Sequence, residues 1–149
     1  MTNPHVLAID AGTGSGRAVI FDKAGRQIAV AQEEWTHLSD PRHPGSMEFD
    51  CAANWALLAG CVRRALAAAG LPASAIRAVS ATSMREGIVL WDRDGRELWA
   101  CANVDSRASD ETKALKAAMP DFERDAYAVT GQTFALGAIP RLKWIERHL

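Results

Sequence analysis

The chain has 149 residues, 48% of them hydrophobic and 23% charged, with a formal net charge of −1, a balance that suits one domain able to bury its own core. That charge leaves no electrostatic footprint for nucleic acid or an anionic membrane. No apolar run approaches membrane-spanning length and no leader-like segment follows the start, so a cytoplasmic protein is expected.

The apolar run Val6-Leu7-Ala8-Ile9 predicts a buried strand that delivers Asp10 to its end. Gly12-Thr13-Gly14-Ser15-Gly16 then forms a turn, Arg17 follows, and Ala18-Val19-Ile20-Phe21 returns as a second strand. Glycines allow close approach and the positive φ angles of an anion-holding nest, so the turn reads as a phosphate cradle. It lacks the Lys-Ser/Thr and following helix of the Walker loop, because a β-pattern comes next. Asp22-Lys23-Ala24-Gly25 reads as a second turn, and Gln27 to Glu33 as the third strand of a meander.

The proline- and histidine-bearing stretch Thr36 to Ser46 reads as an irregular, solvated loop; His37, Asp40 and His43 are assigned there to solvent, not to a metal. Asp50 predicts the N-cap of a helix running to about Ala69, closed by Gly70 and Pro72. Its expected apolar face is Cys51, Trp55, Leu58, Val62, Ala65, Leu66 and Ala69, with Arg63 and Arg64 solvated. Cys51, Cys61 and Cys101, odd in number and without metal-like spacing, are expected as reduced thiols.

Ile76 to Thr82 predicts a strand parallel to the first, reached by crossover, with Ser83-Met84-Arg85-Glu86-Gly87 at its carboxyl end. A small hairpin is expected from Ile88 to Ala100 around Asp92-Arg93-Asp94-Gly95. The polar Asn103-Val104-Asp105-Ser106-Arg107 leads into a helix near Ser109 to Met119, and a shorter helix spans Asp121 to Val129 before Gly131. The last helix is expected from about Leu136, with Pro140 in its first turn and Ile139, Leu142 and Ile145 facing inward.

Three polar clusters therefore share the same expected sheet edge: the phosphate turn, Arg85-Glu86, and Asn103 with Asp105 and Arg107. Taken singly, each has a plain structural explanation: a permissive turn, a surface ion pair, an acid at a helix start. Together they suit a polyol or sugar beside a nucleotide phosphate, since a carboxylate accepts two hydroxyl protons and a guanidinium holds an oxygen in a fixed fork.

DAGTGSGRAVIFD resembles the phosphate-binding signature of the FGGY carbohydrate kinases. SMREG resembles their substrate-holding Arg-Glu, ANVDSRA their Asp-x-Arg segment, and TGQTFALGAIPRLKW their threonine-glycine turn and following helix. PGSMEFD, SMREGIVLWD and ACANVDSRA together resemble the branch acting on autoinducer-2, a linear dihydroxy-pentanedione phosphorylated on its C5 hydroxyl in quorum sensing.

The resemblance implies an α/β, ribonuclease H-like (actin- and hexokinase-like) ATPase fold with a mixed sheet and flanking helices. It implies ATP and Mg²⁺ as cofactors and transfer of phosphate to an alcohol. Asp10 would help hold the metal through water; Gly12, Thr13, Gly14 and Ser15 would cradle the phosphates; Arg17 would neutralise transition-state charge. Arg85 and Glu86 would grip substrate oxygens, with Asn103, Asp105 and Arg107 shaping or bracing that wall. Asn103 stands where many family members have tryptophan, which suits an oxygen-rich substrate, and Phe134 does not align securely with an aromatic some polyol kinases use.

The resemblance also implies that residues 1–149 form an incomplete N-terminal domain. The general-base aspartate and the adenine pocket would lie in later sequence and a second domain, so this chain alone is expected not to be a competent kinase. Two other readings stand beside it: another sugar or polyol kinase of the family (pentulose, glycerol or gluconate), and a non-catalytic half-domain that binds ligand or self-associates, as in a homodimer. A phosphotransferase-system carrier protein enters as a partner by resemblance only.

Overall fold

Alternation at period two makes the opening of the chain a sheet. In the computed structural model, which describes residues 4–135 and 137–149, β1 (His5–Ala11), β2 (Ser15–Asp22) and β3 (Gln27–Glu34) form the expected antiparallel meander. Helix α1 (Cys51–Ala69) and one 3₁₀ turn (Ala73–Ala75) then carry the chain to β4 (Ile76–Ser83). This strand pairs parallel with β1, giving the order β3-β2-β1-β4. Leu7 lies opposite Ile20 and Ile9 opposite Ala18, so one face of the sheet is apolar and receives α1. The core there is Leu7, Ala18, Ile20, Cys61 and Ala65.

Helix α1 begins as the sequence predicts. The Asp50 carboxylate accepts a 2.8 Å hydrogen bond from the Ala53 amide, satisfying one of the orphan donors of the first turn. Gly70 closes the helix at φ 63°. The inward face follows the expected one at Leu58, Val62, Ala65, Leu66 and Ala69, with Asn54 and Cys61 buried beside them; Trp55 departs from it, 70% exposed. Arg64 also departs from expectation, because its guanidinium reaches β3, pairing with Glu33 at 2.8 Å and donating to the Gln32 carbonyl.

The structure divides into two compact units. One comprises the described residues of Met1–Thr36 together with Asp50–Met84; the other comprises His37–Phe49 and Arg85–Leu149. The second unit holds the hairpin β5 (Ile88–Trp91) and β6 (Glu97–Cys101), followed by α2 (Ser109–Ala118), α3 (Phe122–Thr130) and α4 (Ala138–His148). Its segment 37–49 is less irregular than expected. Leu38 and Glu48 bridge each other, Glu48 bridges Cys101, and the Phe49 amide donates to the Ala100 carbonyl. His43 is only partly solvated: its ring stands edge-on to Trp144 at 4.9 Å between centroids.

Both hairpin turns use one device. Asp22 accepts from the amides of Ala24 and Arg26 and pairs with the Arg26 side chain; Asp92 does the same with Asp94 and Arg96. The following glycines, Gly25 and Gly95, have φ of 77° and 78°. The Arg26 and Arg96 amides hold the two carboxyls below the usual range, helped by the arginine side chains.

Helix α4 corrects another expectation. Ile139 and Leu142 are 45% and 48% exposed, and the buried positions are Pro140, Arg141 and Trp144. Leu136, the expected start of this helix, lies outside the described residues. Trp144 stacks on Trp99 with ring centroids 6.2 Å apart, so aromatic area rather than the aliphatic stripe fixes the helix face. Among the described residues no helix is long and apolar enough to cross a membrane, and no disulfide joins the cysteines.

Candidate functional site

The glycine turn closes the β1–β2 hairpin. Asp10 lies directly opposite Arg17, Arg17 opposite Gln32, and Asp10 opposite Thr82. Directly opposed residues share a sheet face, so a carboxylate and a guanidinium stand side by side on the face opposite α1. Arg17 Nε donates to Gln32 Oε1 at 3.1 Å, which steadies the cation.

Between them the turn closes on itself. The Gly12 amide donates to the Ser15 carbonyl at 2.9 Å, so Gly12 gives the turn its shape and its N–H is already used. Trp35 ties the turn down from below: its amide donates to the Gly14 carbonyl at 3.1 Å and its indole Nε1–H to the Thr13 carbonyl at 3.0 Å.

The expectation of positive φ at these glycines is overturned. Positive φ among the glycines is confined to Gly25, Gly45, Gly70, Gly95 and Gly131. The need for glycine here is close approach. A Cβ on Gly16 would stand 2.8 Å from the Trp35 ring and 2.9 Å from Leu58, and one on Gly12 would meet the Ser15 carbonyl at 3.3 Å. At Gly14 nothing lies within 4 Å of that position. The turn is thus packed on its inner side at Gly16 and open to solvent at Gly14.

A glycine turn exposed at Gly14, beside the Arg17 guanidinium, has the chemistry an anion site needs. Among the described residues no group of three metal-ligating side chains exists, and Asp10 alone suits Mg²⁺, which is held by one or two carboxylates, water and phosphate oxygens.

The second unit gathers the other candidates. Arg85 and Glu86 are exposed and border an open cleft of about 290 Å³ with Tyr127, Gly131, Gln132 and Thr133. Glu86 has φ 60°, a left-handed conformation that costs a non-glycine residue about 1–2 kcal/mol. Its carbonyl accepts from Arg141, whose guanidinium also donates to the carbonyls of Asn103 at 2.8 Å and Asp105 at 3.0 Å. The two predicted substrate segments are therefore tied together by a residue that sequence reasoning did not single out. Phe134 is buried against Phe122, with ring centroids 5.3 Å apart.

Asp105 and Arg107 are interior residues, with side chains 0% and 2% exposed. They pair at 2.8 Å, Arg107 reaches Glu48 at 2.8 Å, and the Asp105 carboxylate accepts from the Met47 amide at 2.7 Å. The Arg107 guanidinium lies 5.0 Å from the rings of both Trp99 and Trp144. Burial disfavours its charge, but the bonds to Asp105 and Glu48 outweigh that and hold it above its ordinary value. Removing one partner would strand a buried charge, at a cost of about 3–5 kcal/mol. This arrangement fits bracing, whereas Arg85 and Glu86 remain exposed. Beside it, burial pushes the Cys101 thiol up to about 11, so it stays protonated and inert, as its reading as a packed thiol requires.

Comparison with known proteins accords with this arrangement. Residues 5–149 match the model of the FGGY family of carbohydrate kinases, N-terminal domain. The chain is 58% identical over 145 residues to the autoinducer-2 kinase of Salmonella typhimurium, covering 97% of this chain and 27% of that protein. It is 59% identical, with the same coverage, to the autoinducer-2 kinase of Yersinia enterocolitica. The crystal structure of xylulose kinase from Rhodospirillum rubrum superposes with a TM-score of 0.79 at 30% identity, over 97% of this chain and 29% of that one. The chain thus spans about a quarter of the length of the curated relatives it matches. Fold, turn chemistry and family match agree: this chain belongs to the FGGY family of carbohydrate kinases.

Proposed function

We propose that the chain is the N-terminal part of an ATP-dependent kinase that phosphorylates the C5 hydroxyl of the linear dihydroxy-pentanedione autoinducer-2. The observation that carries the reading is its 58% identity to an autoinducer-2 kinase across 97% of its length. The open position at Gly14, on a turn beside which Asp10 and Arg17 share one sheet face, supports the phosphoryl-donor half of it.

In this reading Thr13, Gly14 and Ser15 hold the β- and γ-phosphates in a turn shaped by Gly12, and Asp10 holds Mg²⁺ through water. The metal, when bound, supplies neutralisation of phosphate charge. Arg17 stabilises the charge that develops on the transferred group. Arg85 and Glu86 hold the acceptor's oxygens, Asn103 contributes an amide to the same wall, and Asp105 with Arg107 keeps that wall rigid. The general base and the adenine pocket come from later sequence of the longer protein.

The test is coupled ADP release from the full-length protein with dihydroxy-pentanedione, ribulose, xylulose and glycerol as acceptors. The highest kcat/KM is expected for the pentanedione; a clear preference for a pentulose or glycerol would reassign the substrate. The 149-residue chain alone is expected to turn over slower by about 10²–10⁴-fold for want of the base, and full activity from it would overturn the division of labour.

A further inference from the structure

Resting on the assignment of Arg85 and Glu86 to the acceptor, we propose that Arg141 is the positioning residue of that site, holding the Glu86 turn in its left-handed conformation against the Asn103–Asp105 segment. Arg141 is 1% exposed, and its two terminal nitrogens converge on three carbonyls: Glu86, Asn103 and Asp105. Three carbonyl dipoles aimed at one point repel each other unless a cation stands between them. A planar guanidinium meets them with fixed, divergent donors, which the single ammonium of lysine does not reproduce.

The strained residue is one that lines the cleft. Glu86 at φ 60° has easier conformations with negative φ, and adopting one would re-aim its side chain. The clasp on its carbonyl opposes that relaxation. Glycine at 137 leaves room on the other side: a Cβ there would stand 3.4 Å from the Glu86 carboxylate and 3.2 Å from the Phe134 carbonyl. One turn along α4 from Arg141, Trp144 packs on Trp99 and on the Arg107 guanidinium, so the helix that carries the clasp is itself anchored. Arg141 thus acts on the acceptor through Glu86 without touching it.

The experiment compares Arg141→Met and Arg141→Lys with wild type in the full-length protein, reading acceptor and ATP kinetics together with amide hydrogen exchange. For Arg141→Met the KM for dihydroxy-pentanedione is expected to rise about tenfold while the KM for ATP stays within about twofold. Exchange should quicken over residues 85–88 and 103–106 and stay unchanged in α1. Arg141→Lys should fall between the two on both readings, and it serves alone if Arg141→Met does not fold. Acceptor and ATP constants moving together, or unchanged exchange over 85–88 in the lysine variant, would overturn the proposal. If wild type transfers phosphate to none of the acceptors, the kinase reading fails by itself, and the exchange comparison still decides whether Arg141 holds the turn.

Discussion

Gly14 and Gly16 are two residues apart and make opposite demands. Gly16 has no room for a methyl group, since the Trp35 ring and Leu58 stand under 3 Å from where it would be. The Trp35 indole cannot move aside without releasing the Thr13 carbonyl. Gly16→Ala is therefore expected to lower stability by about 1–3 kcal/mol and to weaken nucleotide binding with it. Gly14→Ala, facing open space, should unfold within about 0.5 kcal/mol of wild type while still impairing nucleotide binding. Urea denaturation beside nucleotide titration separates these outcomes, and equal destabilisation by both would contradict the packing account.

At this scale the glycine run was legible in the sequence, but the reason at Gly16 is close packing under Trp35 and not backbone sign. Arg141 was illegible because its partners are main-chain carbonyls distant in sequence, which no spacing of side chains records.

Among the elements, α1 tests how far local signals can be trusted. Asp50, Gly70 and Pro72 mark its ends in the sequence, and the structure places the helix at Cys51–Ala69. Asp50→Ala should cost about 1 kcal/mol in chemical denaturation, with Asp50→Asn close to wild type because an amide oxygen can also accept from Ala53. A neutral effect of Asp50→Ala would mean that tertiary packing alone sets the start.

The faces of helices were harder to read than their ends. In α1 hydropathy reads Leu58, Val62, Ala65, Leu66 and Ala69 as the structure has them, but it adds Trp55, which is exposed, and omits Asn54 and Cys61, which are buried. In α4 the spacing of Ile139, Leu142 and Ile145 competes with that of Arg141 and Trp144. The second set is chosen because a buried guanidinium has three carbonyls to satisfy and an indole has a partner ring. Hydrophobic periodicity cannot register either reason.

For the molecule as a whole, the order of elements followed from chain-local patterns, and so did the parallel pairing of β4 with β1. What did not follow was the attachment of residues 46–49 to β6 and to Asp105, a pairing about 55 residues apart in sequence, built on a segment whose prolines and histidines suggest only a loop. Family membership was legible from the polar segments at the ends of strands, where ligand chemistry leaves its mark on residue choice. That these residues are part of a longer protein was expected from the resemblance alone, and the chain covers 27% of a curated relative's length.

Strand β4 carries a practical consequence. It borders the sheet, with β1 as its one neighbour among the described residues, seven of its eight residues are exposed, and Val79 alone is 59% uncovered. A border of this kind, with Arg77 as its one charge, is a template onto which a strand from another molecule can add. Concentrated solutions of the 149-residue chain should accordingly scatter light in proportion to concentration and time, and Val79→Lys should suppress the growth. Scattering that the lysine leaves untouched would place the sticking surface elsewhere. Conditions for purifying or crystallising this chain then turn on shielding eight residues, by dilution, by charge or by a covering partner, more than on strengthening its interior.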